Sequence, residues 1–330
     1  MSSNRTSRRA VLVSCAAVTG ALLLSACGSD SGDDSESGSG EGKAAAATTR
    51  QITDAQGRKV KVPGDPRKVV TLSEPTTDAA LALGVEPVGV TAGRGQKGVS
   101  TYLADKASKA QVVATVAEAD MEKLAALQPD LILLDETTGA KKTVDKLQEI
   151  APTVVTAKLN EDWKKSFTDT ADALNKKADA EKWLTGFDTR VADVKKQLGS
   201  NAGTSVSVIR WQDGAPSVVG KGDGVVASTL QALGTTRPKD QQGASTGHSE
   251  PVSLEKLDTI DGDWLFFGTL GDKADGEKAY GEAQKVTNFG KLTAEKDKHV
   301  VVIEGSAWNS AGGPLSAQVV LDDLEGALAK

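Results

Sequence analysis

The chain has 330 residues, 38% of them apolar and 25% charged, with a formal net charge of −6. That balance belongs to a soluble globular protein with room for two domains of ordinary size. An acidic chain without a basic stripe argues against a nucleic-acid partner.

Residues 1–26 read as an export signal. Arg5, Arg8 and Arg9 precede an uncharged, mostly apolar run from Ala10 to Ala26, short for a membrane span. Ser7-Arg8-Arg9-Ala10-Val11-Leu12 resembles a twin-arginine signal with Val where Phe is usual; an ordinary secretory signal is the alternative. Leu24-Ser25-Ala26-Cys27 resembles a bacterial lipobox, which implies that Cys27 is lipidated and becomes the new N-terminus. Residues 28–42 are almost wholly Gly, Ser, Asp and Glu, a composition that cannot bury a core, so 27–49 is expected to be a flexible tether. Removing 1–26 takes away three Arg, no acid and Cys15, leaving a net charge of about −9 and no disulfide.

From Arg50 to Val62 two short strands are expected around a Gly57 turn, then the apolar strand Lys68–Leu72. Thr76 or Thr77 can cap a helix ending at Gly84, and Val85–Val90 starts the next strand. Strand, loop, helix and strand make the unit of a parallel sheet. Asp120–Leu127 reads as a short amphipathic helix, Leu131–Leu134 as a buried strand, Lys141–Ile150 as a helix and Thr153–Thr156 as a strand. Trp163, Phe167, Thr170 and Leu174 keep helical spacing, Asn175-Lys176-Lys177 interrupts it, and Asp179 can cap a long helix through Leu198. The plan then returns with strand Val206–Ile209, a loop from Arg210 to Gly214, helix Val225–Leu233 and strand Trp264–Phe267. Met121-Glu122-Lys123-Leu124 before Pro129-Asp130 matches Leu254-Glu255-Lys256-Leu257 before Gly262-Asp263, a repeat at the scale of whole lobes. The expected fold is α/β: two Rossmann-like three-layer lobes, 50–177 and 199–330, joined by one long helix at 178–198. Ligands of such sheets sit beyond the carboxyl ends of the strands.

Several segments in this order resemble the substrate-binding proteins of bacterial ABC importers that take up iron–siderophores and cobalamin. They are Asp54-Ala-Gln-Gly57, Val62-Pro63, Asp65-Pro66, Val69–Ser73, Leu83–Val90, Pro129–Leu133, Ile150–Thr153 and Gly312–Ala317. The resemblance implies two lobes on a rigid helix, modest closure on ligand, no enzymatic activity and no resident cofactor. The protein is then a monomer on the outer face of the cytoplasmic membrane, anchored at Cys27. It also implies docking of one acid per lobe on a permease dimer with its cytoplasmic ATPase. The matching positions are Glu122 and Glu255; a solvated charge opposite Lys123 or Lys256 is the plain alternative.

The supply of metal ligands is thin. His248 and His299 are the only histidines, and Tyr102 and Tyr280 the only tyrosines, so a bare metal is disfavoured and a chelated one favoured. Ser73, Glu74, Thr91, Arg94, Asp135 and Glu136 are the candidates in the first lobe. Arg210, Trp211, Arg237, Thr269, Trp308 and Asn309 are those of the second. Arg94 lies where the hydroxamate branch of the resembled family places an arginine, and a guanidinium fork suits metal-bound oxygens. Trp211 and Trp308, placed in polar loops, are expected as apolar walls; Trp163, Trp183 and Trp264 are expected in the core. A ferric siderophore, a hydroxamate first, is the favoured ligand, with cobalamin or haem as alternatives. The remote alternative is a secreted dinucleotide enzyme, since Gly93-Arg-Gly95-Gln-Lys-Gly98 fits a phosphate-binding fingerprint; no long apolar helix follows it.

Overall fold

The computed structural model describes residues 48–222, 224–243 and 250–329. The export signal, Cys27 and most of the tether lie outside the described residues, as does His248. No described helix is long and apolar enough to cross a membrane.

The chain opens with an antiparallel hairpin, β1 (Thr49–Thr53) and β2 (Lys59–Pro63), turning at Gly57 with φ +80°. The first lobe follows: β3 (Val69–Thr71), α1 (Glu74–Ala82), β4 (Gly89–Thr91), β5 (Gln111–Ala114), α2 (Met121–Leu127), β6 (Leu131–Leu134), α3 (Val144–Gln148) and β7 (Thr153–Val155). Its strands form one parallel sheet in the order β5-β4-β3-β6-β7. β3 and β6 are buried throughout, as central parallel strands covered on both faces must be.

Two helices lead out of this lobe, α4 (Trp163–Ala173) and α5 (Lys177–Gln197). Asp162 caps α4, accepting from the Lys165 N–H at 2.9 Å. The cap expected from Asp179 does not form; α5 starts two residues earlier and Asp179 is an acid in its first turn, favourable to the dipole there. Trp183 and Leu184 of α5 pack against the cores of both lobes, so one helix shares its apolar face between them.

The second lobe holds β8 (Val206–Gln212), β9 (Ala215–Val218), α6 (Val225–Leu233), β10 (Glu250–Pro251), β11 (Trp264–Gly268), α7 (Lys273–Ala283), α8 (Thr293–Lys296), β12 (Val300–Val302), α9 (Gly305–Trp308) and α10 (Pro314–Leu328). Its sheet runs β10-β9-β8-β11-β12, with β8, β11 and β12 parallel and β9 antiparallel to both its neighbours, β8 and β10. The repeat is therefore partial. The segment expected as a loop from Arg210 is the end of β8 and a tight hairpin. Asp213 (φ +53°) and Gly214 (φ +81°) form its turn, the pairing that favours Asp-Gly in two-residue hairpins. Leu254–Ile260, the counterpart of α2, is a 3₁₀ turn, yet Leu257 is buried as Leu124 is.

α1 also starts earlier than expected. Ser73 is its flanking residue, and the Thr76 and Thr77 hydroxyls inside the first turn donate to the Ser73 carbonyl at 2.9 and 3.0 Å.

Candidate functional site

Loops at the carboxyl ends of β3 and β4 meet loops following β11 and β12 along an interlobe seam. Gln96 Nε2 donates to the Leu270 carbonyl at 2.9 Å, Thr101 Oγ1 to Glu304 at 2.7 Å, and Ser310 Oγ to Glu74 at 2.7 Å.

Arg94 rides on a short turn closed by the Gly93 N–H donating to the Gly98 carbonyl at 2.8 Å. Gly95 (φ +72°) lets this turn press on Leu270; a Cβ there would lie 3.1 Å from Leu270 Cδ1. A 3₁₀ turn, Thr101–Leu103, follows instead of the helix a dinucleotide site needs. Arg210 stands at the end of β8, beside Gly268 in the register of β11. Burial lowers its pKa, and the nearby positive charge of Arg94 lowers it further. Each lobe thus contributes one half-buried arginine on this side of the seam, and neither stands among the residues lining the cavity described next.

The same seam holds a cavity of about 310 Å³. Asp135, Leu159 and Trp163 line it from the first lobe, Lys221, Trp308 and Asn309 from the second. Burial raises the Asp135 pKa, against bonds donated by the Thr137 N–H and hydroxyl. Asn309 Nδ2 donates to the Thr269 carbonyl at 2.8 Å, while its buried Oδ1 has no partner.

Other expected site residues are placed elsewhere. Glu74 is 5% exposed, and Ser73 and Thr91 are buried, so these three stand behind the surface. Glu136, at the rim, accepts from Gln56 Nε2 and the Leu159 N–H. Trp211 is not a cleft wall. It is 5% exposed and packs against Phe267 and Phe289, because it shares a strand face with Ile209. Trp308 is 2% exposed, stacked on Phe266 at 5.0 Å with its Nε1–H on Asp323, so it floors the cavity rather than standing in a loop. Arg237 is neither a ligand group nor a surface charge. Its guanidinium donates to the Val219 and Gly220 carbonyls and Gln241, and burial lowers its pKa to about 10. Among the expected core tryptophans, Trp163 is buried yet reaches the cavity, and its Nε1–H donates to Ser228 at 2.9 Å.

Sequence reasoning missed Leu159, Lys158, Lys221 and Ser310. Leu159 is 48% exposed on the cavity wall, a lone large apolar residue in a polar loop. That signal, applied to tryptophans alone, would have found it.

Glu122 and Glu255 are both exposed, near the N-termini of equivalent turns. Lys123 pairs with Asp120 at 3.1 Å, not with Glu122. Among the described residues no group of three or more His, Cys, Asp or Glu is placed to hold a bare metal ion.

Beneath the seam, Asp78 is fully buried. Desolvation raises its pKa to about 6, against hydrogen bonds from the backbone at 313–316 and from Tyr102 that pull it down. A carboxyl raised in the native state keeps its proton to higher pH than in the unfolded chain. Its favourable contribution is therefore complete below about pH 4 and is lost as pH rises to about 6. Between pH 4 and 7, wild type is expected to lose roughly 2–3 kcal/mol of unfolding free energy relative to Asp78→Asn. Urea unfolding of both proteins across that range checks it; parallel profiles would sink it.

Two α/β lobes that share one cavity, lined by apolar and charged side chains of both, define a ligand-binding protein. The family model described as periplasmic binding protein matches residues 69–307, and the chain belongs to that family. It is 33% identical over 321 residues to the probable siderophore-binding lipoprotein YfiY of Bacillus subtilis (strain 168), covering 92% of this chain and 93% of that one. It is 28% identical over 327 residues to the petrobactin-binding protein YclQ of the same organism, covering 94% and 97%. Among solved structures, Staphylococcus aureus SirA complexed with staphyloferrin B shares 26% identity at a TM-score of 0.69, over 85% of this chain and 98% of that one. The protein is thus an extracytoplasmic binding protein, not an enzyme.

Proposed function

We propose that this protein captures a ferric siderophore outside the cytoplasmic membrane and delivers it to an ABC permease dimer driven by a cytoplasmic ATPase. The convergence of Arg94 and Arg210 from opposite lobes carries this reading. Two guanidinium forks suit the metal-bound oxygens of a chelated Fe³⁺ and exceed what a neutral ligand needs. The names of the similar proteins agree with it. Arg237 is committed to the protein interior while Lys158 and Lys221 stand at the cavity, and a hydroxamate stays the first candidate because Arg94 matches the arginine position of that branch.

In this reading residues 1–26 are the signal, Cys27 bears the anchor, and 27–49 tether a monomer. Lobes 50–177 and 199–330 turn about the helix 178–198. Glu122 and Glu255 meet arginine pockets of the permease. Glu122→Ala with Glu255→Ala is expected to abolish uptake of the iron complex by whole cells while leaving its affinity unchanged; normal uptake would end the docking assignment.

The test of function is tryptophan fluorescence of residues 46–330, which form one compact unit. Ferric hydroxamate, ferric catecholate, cobalamin and haem are titrated in turn. Trp163 and Trp308 line the cavity and report occupancy. Saturable quenching by a ferric siderophore at submicromolar concentration, and not by its iron-free form, is expected. A response confined to cobalamin or haem, or none at all, would overturn the siderophore reading.

A further inference from the structure

Helix α1 carries two carboxylates one turn apart, and both reach the second lobe. Glu74 Oε1 accepts from the Arg94 N–H at 3.1 Å and Ser100 Oγ at 2.7 Å, while Oε2 accepts from Ser310 Oγ at 2.7 Å. Asp78 accepts from the N–H groups of Gly313, Leu315 and Ser316 at 3.1, 2.7 and 2.9 Å, and from the Tyr102 hydroxyl at 2.8 Å. Gly313, which flanks α10, has no side chain to cap it, so the first turn of that helix is capped by a carboxylate of the other lobe. The approach is close: a Cβ on Gly313 would lie 3.0 Å from Asp78 Oδ1.

The two contacts differ in kind. Asp78 holds backbone groups of a helix and cannot let go without uncapping it. Glu74 holds a serine side chain of one lobe and the arginine turn of the other, and a serine hydroxyl can leave without unfolding anything. We propose that Glu74 is a positioning residue for ligand binding. It ties the Arg94 turn of the first lobe to the Asn309–Ser310 segment lining the cavity from the second, above a fixed pivot at Asp78. Arg94 is then pre-organised for its ligand through its own backbone N–H, and the ordering of that turn is completed before the ligand arrives. Glu74, which the sequence suggested as a ligand group, acts through Arg94 instead.

The experiment is hydrogen exchange by mass spectrometry on the full chain, with Ser310→Ala, Glu74→Ala and Glu74→Gln. Ser310→Ala changes only the second lobe, yet faster exchange is expected at 92–100 of the first, by about tenfold for a lost bond to a carboxylate. Glu74→Ala is expected to do the same and more, whereas Glu74→Gln, which keeps an acceptor for Arg94 and Ser100, largely rescues it. Exchange at 92–100 equal to wild type in Ser310→Ala overturns the proposal, whatever the ligand. The ligand arm rests on the siderophore reading: Ser310→Ala is expected to release a bound ferric hydroxamate about ten times faster. Faster exchange with an unchanged release rate overturns the positioning role. A wild type that binds no ferric complex overturns the siderophore reading instead.

Discussion

Arg94→Gln combined with Arg210→Gln is expected to weaken binding of the ferric siderophore by a hundredfold or more. Each guanidinium replaces water around charged oxygens with charge-assisted hydrogen bonds worth about 1.5–3 kcal/mol. Every 1.4 kcal/mol is a factor of about ten in affinity, so each single change is expected to lose roughly tenfold to a hundredfold. If the two residues contact one ligand, as proposed, their effects will not simply add. Arg210 gives the prediction a second edge. Burial and the charge of Arg94 both depress the Arg210 pKa. Removing Arg94 therefore takes away one of the two causes that hold the Arg210 pKa down, and under the proposed reading it harms the complex. Arg94→Gln is expected to melt no lower than wild type without ligand and well below it with ligand. Calorimetric titration and thermal melts together separate this outcome from misfolding. An affinity within threefold of wild type for the double variant would remove both arginines from the site.

The opposite pattern is expected for Trp211→Ala. This indole is packed between Phe267 and Phe289 at ring separations of 5.7 and 6.0 Å. Truncating a buried tryptophan removes its transfer free energy and leaves a cavity, together about 3–5 kcal/mol. Urea unfolding should show that loss, while the folded fraction binds ligand as wild type does. Lost affinity at unchanged stability would return Trp211 to the cleft and contradict its placement.

Trp211 also shows where reading a sequence stops. The central parallel strands were legible because strands buried on both faces are short apolar runs, as at Leu131–Leu134 and Val206–Ile209, while the order of strands in each sheet was not read. Helix ends were legible where a glycine was required, as at Gly84 (φ +72°) and Gly234 (φ +81°). Arg210 and Trp211 looked like loop residues only because the Asp213-Gly214 turn was overlooked. Once they are placed on β8, alternation sends Trp211 to the side of Ile209 and Arg210 to the other. Arg237 was beyond reach. Its partners are carbonyls of Val219 and Gly220, and no pattern of side chains advertises a backbone acceptor. Glu74 fails for a related reason. A carboxylate beside a predicted cleft looks the same whether it faces a ligand or two serines from segments 26 and 236 residues away. The two arginines were legible by residue type, but their placement relative to each other depends on the packing of the lobes.

The short strand β10 has a bearing on how copies of this receptor share a surface. It ends the second sheet with two residues, Glu250 and Pro251, paired to Val218 and Ser217. The Val252 N–H points inward to the Pro216 carbonyl at 2.9 Å, so by alternation the backbone of residue 251 faces out. Proline offers no N–H there, and a strand arriving from a neighbouring molecule meets a gap in its ladder. At this edge an incoming strand finds one donor fewer, which disfavours extension of the sheet from one copy of the receptor to the next.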